Sequence, residues 1–193
     1  MTVHFMPLGT DPLPSIFEET LRKRLAESPD SSTDAFQLGS FLLDTGKAAE
    51  ATLFLRRAVA LRPDAPFFHG SLAQALEDLG HLEQSLVHRR HAARLGPDVP
   101  LFHHKLGLTL GILGRFEDAA VALARAIALE PLYYGAYASL GTVYRAVGRL
   151  RDAVTAYERC SAICPEFFDA RPDVREAWKD AQARLQTGSP GSA

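Results

Sequence analysis

Histidine is the residue type in this chain whose spacing most invites a chemical role. His103 and His104 are adjacent in an apolar run, PLFHHKLGLTLGILG, at 100–114, and His69 stands 34 residues before His103. Imidazole nitrogens bind zinc at about 2 Å, whereas neighbouring packed helices lie roughly 10 Å apart. His69 and His103 could therefore share a metal only with favourable rotamers. Their spacing favours a recurring structural position, a half-buried ring with one hydrogen-bonded nitrogen.

A second group of histidines falls in HLEQSLVHRRHAAR, at 81–94. Four side chains share one stripe of a helix there: His81, Gln84, His88 and His91. Arg89 and Arg90 lie beside them and would repel a cation. We interpret this stripe as solvated surface, with a pH-sensitive patch as the alternative, because histidine titrates near neutrality. We expect the position of Arg89 to face inward, where an unpaired charge would be unfavourable. We therefore predict that its side chain snorkels to solvent or pairs with a carboxylate.

Motifs of known catalytic chemistry are missing from the sequence. It has no G-x-S-x-G, no phosphate-binding glycine loop, no H-E-x-x-H and no C-x-x-C. Paired carboxylates such as Glu77 with Asp78 and Glu117 with Asp118 are typical of helix ends and wet surface. We therefore predict a protein that is not an enzyme, with no catalytic residues, no metal site and no cofactor.

The composition limits the class of protein. The chain has 193 residues, 47% hydrophobic and 23% charged, which is typical of a globular fold. A net charge of −2 gives no basic excess for nucleic acid, and no apolar run approaches the roughly 20 residues of a membrane span. The N-terminal residues lack the pattern of a secretory signal. Cys160 and Cys164, one helical turn apart, indicate reduced thiols, so we predict a cytoplasmic protein.

The elements that carry these residues repeat along the chain. Shifting the sequence by 34 residues aligns four copies of the same pattern. The aligned columns are Leu38, Leu72, Leu106 and Leu140; Gly39, Ala73, Gly107 and Gly141; Gly46, Gly80, Gly114 and Gly148; and Pro63, Pro97, Pro131 and Pro165. The small residue beside each leucine allows a second helix to approach closely. The later glycine ends the first helix and the proline ends the second, so each copy predicts an antiparallel helix pair.

These columns resemble the tetratricopeptide repeat family over 32–165. The resemblance implies an all-α fold, a right-handed α-solenoid of antiparallel helix pairs with about ten helices. The predicted ends are a flexible N-terminus at 1–13 and a flexible tail at 187–193, around a single array at 14–186. Within that array we predict a half-repeat at 14–31, repeats at 32–65, 66–99, 100–133 and 134–167, and an amphipathic capping helix at 172–186.

The resemblance also implies a concave groove lined by the first helix of each repeat. The candidate partner-binding residues are Phe36, Ser40, Leu43, Asp44, Phe67, Gln74, Glu77, Asp78, Leu101, His104, Leu108, Ile112, Thr142 and Arg145. The middle of this set is apolar, with acidic residues toward one side and Arg145 at the other. It predicts a partner peptide or helix with apolar anchors and some basic residues. Lys105 alone cannot form the carboxylate clamp by which one subfamily holds chaperone tails.

The sequence thus predicts a non-enzymatic scaffold or adaptor that binds another protein in its groove. The alternative is self-assembly, with the groove or an edge occupied by another copy as a homo-oligomer. A third hypothesis, a histidine-dependent metal-binding protein or enzyme, has weaker support. No nucleic-acid partner and no membrane span are predicted.

Overall fold

The computed structural model describes residues 13–187, which form eleven α-helices and, within that range, no strand. The chain divides into two compact units, Met1–Gly80 and His81–Ala193, here called the N-terminal unit and the C-terminal unit. Apart from Leu13 and Thr187, which lie in helices, the predicted flexible ends fall outside the described residues. No helix in the described part of the chain is both long and apolar enough to cross a membrane.

The N-terminal unit consists of four helices that pack in sequence, α1 on α2, α2 on α3 and α3 on α4. They are α1 (Leu13–Glu27), α2 (Ser32–Asp44), α3 (Ala48–Leu61) and α4 (Pro66–Asp78). The Ser31 side chain accepts a hydrogen bond from the Asp34 N–H at 3.2 Å and so caps the start of α2. The core contains fully buried leucines from every helix: Leu21, Leu38, Leu42, Leu55, Leu72 and Leu76.

The C-terminal unit contains the remaining seven helices. They are α5 (Leu82–Leu95), α6 (Pro100–Ile112), α7 (Phe116–Leu129), α8 (Tyr134–Ala146), α9 (Leu150–Ile163), α10 (Pro165–Ala170) and α11 (Pro172–Thr187). Successive helices from α5 to α9 pack on one another, and α6 also contacts α8. Helix α11 packs on α8, α9 and α10. The short helix α10 was not predicted from the sequence.

The turn inside each helix pair depends on a glycine with positive φ. These glycines are Gly46, Gly80, Gly114 and Gly148, with φ of 77°, 76°, 71° and 76°. Only glycine adopts this left-handed backbone without steric cost. In the turn after α6, the Arg115 N–H donates to the Leu110 carbonyl at 2.9 Å, which closes the end of the helix. The predicted role of this glycine column is confirmed.

The small residue that follows each aligned leucine brings the paired helices into close contact. A Cβ atom at Gly107 would lie 2.6 Å from Leu123 Cγ, and one at Gly141 would lie 2.7 Å from Tyr157 Cε1. Both distances are too short for carbon atoms, so α6 with α7 and α8 with α9 can pack as they do only because glycine is present. The predicted close approach of the helices is confirmed.

The structure defines the surroundings of Arg89 and of the two cysteines in the C-terminal unit. Arg89 is buried, with 5% of its surface exposed, and it has interactions within the chain, so its side chain does not snorkel to solvent. Cys160 is buried in α9, and burial raises the pKa of its thiol to about 11. Cys164, at the end of α9, is half-buried, and both thiols are free.

Candidate functional site: a cleft in the C-terminal unit

A cleft of about 680 Å³ lies in the C-terminal unit. Helices α6 and α8 form its sides, and residues from α7, α10 and the start of α11 complete its lining. We call this feature the α6–α8 cleft. Its lining includes His104, Leu108, Gly111, Ile112, Tyr133, Tyr134, Gly135, Ser139, Thr142, Phe167, Arg171 and Asp173. Its volume falls within the range of roughly 300–1,000 Å³ that is usual for ligand pockets.

His104 connects the two sides of the cleft through hydrogen bonds. From α6, its Nδ1 lies 2.9 Å from the Tyr133 hydroxyl, and its Nε2 lies 3.0 Å from Ser139 Oγ on α8. The Ser139 hydroxyl donates its own hydrogen to the Gly135 carbonyl at 2.9 Å. Ser139 must therefore accept from His104, so Nε2 carries the hydrogen and Nδ1 accepts from Tyr133 in the neutral ring.

The surroundings of His104 keep it uncharged near neutral pH. Burial lowers the pKa of His104 to about 4, and the positive charge of Lys105 acts in the same direction. Burial also raises the pKa of Tyr133, which keeps the phenol protonated as a donor. The pair can therefore hold the cleft in shape without contributing charge. Neither group is activated as a nucleophile.

The only charged side chains among the described lining residues neutralise each other. Arg171 makes two hydrogen bonds to Asp173, Nε to Oδ1 at 2.8 Å and Nη2 to Oδ2 at 2.6 Å. This contact lowers the pKa of Asp173. The Arg171 guanidinium also lies 5.5 Å from the centre of the Phe167 ring. The cleft consequently presents a neutral, largely apolar surface.

Aromatic rings line the cleft on more than one side. Tyr134 and Phe167 have ring centroids 4.7 Å apart, and Tyr133 meets the His104 ring edge-on at 4.9 Å. Aliphatic side chains complete the surface, with Leu108 37% and Ile112 65% exposed. Such exposed apolar side chains beside rings are suited to contact another apolar group.

Four of the predicted groove residues come together in this cleft: His104, Leu108, Ile112 and Thr142. Two other predicted residues of the C-terminal unit do not line it. Leu101 is 41% exposed in the first turn of α6. Arg145 points to α11, where its Nη1 lies 3.1 Å from Asp180 Oδ2. The binding role assigned to these residues stays a prediction.

The predicted groove residues of the N-terminal unit have mixed surroundings. Phe36 stacks on Phe68 with ring centroids 4.5 Å apart, and Leu43 packs against the buried core. Gln74 donates to Asp78 at 3.0 Å. The remaining four differ in exposure: Ser40 and Glu77 are half-buried, Asp44 is exposed, and Phe67 is 57% exposed.

Several residues of the cleft were missed by the sequence analysis, notably Tyr133, Ser139, Phe167 and Arg171. A signal for two of them existed. The 34-residue shift carries Tyr133 onto Phe167, just as it carries Pro131 onto Pro165. The last position of the third and the fourth repeat therefore carries an aromatic ring, and Phe167 lies in the short helix α10. Ser139 and Arg171 have no equivalent signal.

The histidines that recur at 34 residues have a structural role. His69 Nε2 lies 2.9 Å from the Pro63 carbonyl, and His103 Nε2 lies 2.9 Å from the Pro97 carbonyl. Each ring joins the start of a first helix to the preceding turn, so a hydrogen-bonded nitrogen is found at both positions as predicted. His103 is half-buried as predicted, whereas His69 is buried. On α5, His88 and His91 have ring centroids 6.4 Å apart, and the His91 Nδ1 contacts Arg94 at 3.0 Å. No group of three or more His, Cys, Asp or Glu residues within 13–187 is arranged to hold a metal ion.

Comparison with solved structures defines the class of protein. The chain superposes on MamA with a TM-score of 0.73 at 21% identity, covering 83% of this chain and 96% of MamA. It superposes on YrrB, described as a TPR protein with an unusual peptide-binding site, with a TM-score of 0.73 at 17% identity, covering 88% and 85%. A thermophilic TPR protein from Thermus thermophilus, TTC0263, gives 0.67 at 24% identity, covering 88% and 91%.

These likenesses confirm the predicted fold class, an all-α protein of tetratricopeptide-repeat helix pairs. A more particular assignment comes from the sequence profile of one family, the bacterial transcriptional activator domain, which matches residues 32–177. That match spans more than half of the chain, and the protein belongs to this family. No curated protein matches the chain at a significant level.

Proposed function

We propose that this protein is a non-enzymatic interaction module that binds a segment of a partner protein on the concave side of its first helices. The observation that carries the proposal is the α6–α8 cleft. It is open, of ligand-pocket size and lined by exposed apolar and aromatic side chains. Helical repeats commonly use such surfaces for peptides or helices with apolar anchors.

The chemistry of the cleft supports binding over catalysis. His104 is neutral and already hydrogen-bonded at both nitrogens, and Arg171 is paired with Asp173. A general base or a nucleophile needs a pKa suited to its task and access to a substrate. The buried thiol of Cys160 has its pKa raised, which is the opposite of activation.

The comparisons support a protein partner and suggest its setting. One solved neighbour, YrrB, is described as having a peptide-binding site. The family description refers to bacterial transcriptional activation. We therefore propose a cytoplasmic role in which the module recruits a protein of the transcription apparatus. That the partner segment also carries some basic residues stays a prediction from the sequence.

The test compares two doubly substituted variants in cross-linking pull-downs from the native cell extract. The Leu108→Glu, Ile112→Glu variant places charge in the cleft, and we expect it to lose proteins that the wild type captures. The matched control is Val121→Glu, Leu132→Glu, because these side chains are 72% and 70% exposed in the same unit and lie outside the cleft lining. Circular dichroism must show full helicity for both variants.

Loss of the same proteins from both variants, or from neither, contradicts the proposed binding surface. The mass of the purified wild type, measured by sedimentation across protein concentration, separates a distinct partner from a second copy. A mass that rises with concentration in wild type but not in the cleft variant would mean that the cleft binds another copy of this chain.

A further inference from the structure

Two glycines of the α6–α8 cleft differ from the other glycines whose surroundings the structure describes. The turn glycines have positive φ, and Gly39, Gly96, Gly107 and Gly141 leave no room for a Cβ atom. Gly111, in the last turn of α6, and Gly135, in the first turn of α8, have no such constraint. A Cβ at Gly111 would meet Val143 Cγ2 at 3.8 Å, and one at Gly135 would meet His104 Cε1 at 3.5 Å, both ordinary contact distances.

The fold gains nothing evident from these two glycines. Both lie in helical turns, and glycine is a poorer helix former than alanine. The corresponding positions of other repeats carry side chains, most of them large: Leu43, Glu77 and Arg145 for Gly111, and Phe67 and Leu101 for Gly135. Such side chains at 111 and 135 would project into the cleft, since both positions line it. The glycines therefore keep open a space that the repeat pattern would otherwise fill.

The electrostatic character of that space limits what can enter it. His104 is neutral, its two ring nitrogens are satisfied, and the Arg171 and Asp173 charges cancel. A charged group in the cleft would lose its hydration without finding a free counter-charge among the described lining residues. An uncharged apolar group meets no such penalty.

The rings around the space favour an aromatic occupant. Tyr133, Tyr134 and Phe167 belong to the lining. Aromatic pairs in offset or edge-to-face contact contribute about 0.5–1.5 kcal/mol beyond the apolar area that they bury. A volume of about 680 Å³ accommodates a large side chain together with the adjoining main chain of a peptide.

We propose that the α6–α8 cleft is an anchor pocket for an uncharged aromatic side chain of the partner segment, and that Gly111 and Gly135 determine this specificity. The inference rests on the proposed function, because it names the part of the partner that the cleft selects. It assigns a role to two residues whose substitution would leave the helix pairs intact.

The experiment uses capped amino acids as probes of the pocket in the whole chain. N-acetyl-tryptophanamide, N-acetyl-leucinamide and N-acetyl-lysinamide are titrated separately into ¹⁵N-labelled protein, and amide chemical shifts are followed by NMR. We expect saturable shifts at Gly111, Gly135 and Leu108 with the tryptophan probe, at a Kd on the order of millimolar. The leucine probe should bind several-fold more weakly, and the lysine probe at least tenfold more weakly.

Matched variants test the role of the glycines. Gly111→Leu fills the pocket and should weaken binding of the tryptophan probe at least tenfold. Ala124→Leu introduces the same side chain on an exposed part of α7, outside the lining, and should leave the affinity unchanged. Gly111→Ala is the more conservative filling variant if Gly111→Leu loses helicity, and it should weaken binding by a smaller factor.

The outcomes that overturn the inference are distinct from failure of the proposed function. Absence of saturable shifts in wild type, equal affinity for the lysine or leucine probe, or unchanged binding by a folded Gly111 variant contradicts the anchor pocket. If one of these results is found but the Leu108→Glu, Ile112→Glu variant still loses the partner, the proposed function is retained without the anchor pocket. If the probes bind as expected but that variant captures the same proteins as wild type, the pocket stands and the proposed function fails.

Discussion

Among single residues, His104 shows how position changes the chemistry of a side chain. In water an imidazole titrates near pH 6.5, but burial between α6 and α8 lowers the pKa of His104 to about 4. The ring therefore serves as a neutral link between Tyr133 and Ser139. His103, the next residue in sequence, instead contacts the preceding turn at Pro97.

The lowered pKa predicts a loss of stability in mild acid. The unfolded chain takes up the His104 proton below about pH 6.5, whereas the folded chain takes it up only near pH 4, so falling pH favours unfolding between these values. We expect the free energy of unfolding to drop by about 2 kcal/mol more in wild type than in His104→Gln between pH 7 and pH 5. Urea unfolding at both pH values measures this, and an equal drop in the two proteins would contradict it.

Within one element, helix α6 contains two glycines four residues apart with opposite surroundings. A Cβ at Gly107 would collide with Leu123 Cγ at 2.6 Å, whereas one at Gly111 would meet Val143 at 3.8 Å. Gly107 faces α7 and sets the packing of the helix pair. Gly111 lines the cleft. Glycine is therefore present at two positions of one helix for two different physical reasons.

This contrast predicts opposite effects of the same substitution. Gly107→Ala should lower the free energy of unfolding by about 1–3 kcal/mol, because α6 and Leu123 must move apart. Gly111→Ala should leave it unchanged or raise it by up to about 1 kcal/mol, because alanine favours the helix. Urea unfolding followed by circular dichroism measures both. Similar losses in the two variants would show that Gly111 is needed for packing.

In the Gly107→Ala background, Leu123→Ala should lower the free energy of unfolding by less than it does alone.

For the whole molecule, the division into two compact units suggests that stability is distributed locally. The chain has a single tryptophan, Trp178, which packs edge-on against Phe168 in the C-terminal unit, with ring centroids 5.8 Å apart. Its fluorescence therefore reports on that unit, whereas circular dichroism reports on all helices. In repeat proteins the total stability is close to a sum of local and nearest-neighbour terms.

A core substitution in one unit should accordingly affect the two signals unequally. Leu55 is fully buried in the N-terminal unit, and Leu55→Ala should cost about 2–5 kcal/mol. We expect the urea midpoint to fall more by circular dichroism than by tryptophan fluorescence. Leu123→Ala, equally buried in the C-terminal unit, is the control and should lower the fluorescence midpoint. Equal shifts of both signals in Leu55→Ala would instead indicate one cooperative transition.

The helix pairs, their turns and their close packing could be predicted from the sequence because each depends on residues near in the chain or on a fixed period. Gly114 at a turn and Gly107 beside Leu106 are recognisable for this reason. The recurring hydrogen bonds of His69 and His103 follow from the same period, since both join a helix to its own preceding turn.

The lining of the α6–α8 cleft depends on contacts that the 34-residue period does not contain. His104 meets Tyr133 at the far end of its own repeat and Ser139 in the next repeat, and Arg145 points to Asp180 on α11. The contacts of these side chains depend on the space and the hydrogen-bond partners that are available once the helices have packed. The local sequence pattern does not contain this information. Periodicity therefore identified the tetratricopeptide-repeat fold, and the resemblance to that family named four of the residues that line the cleft. Packing between helices decided which other side chains complete the cleft and why it is neutral.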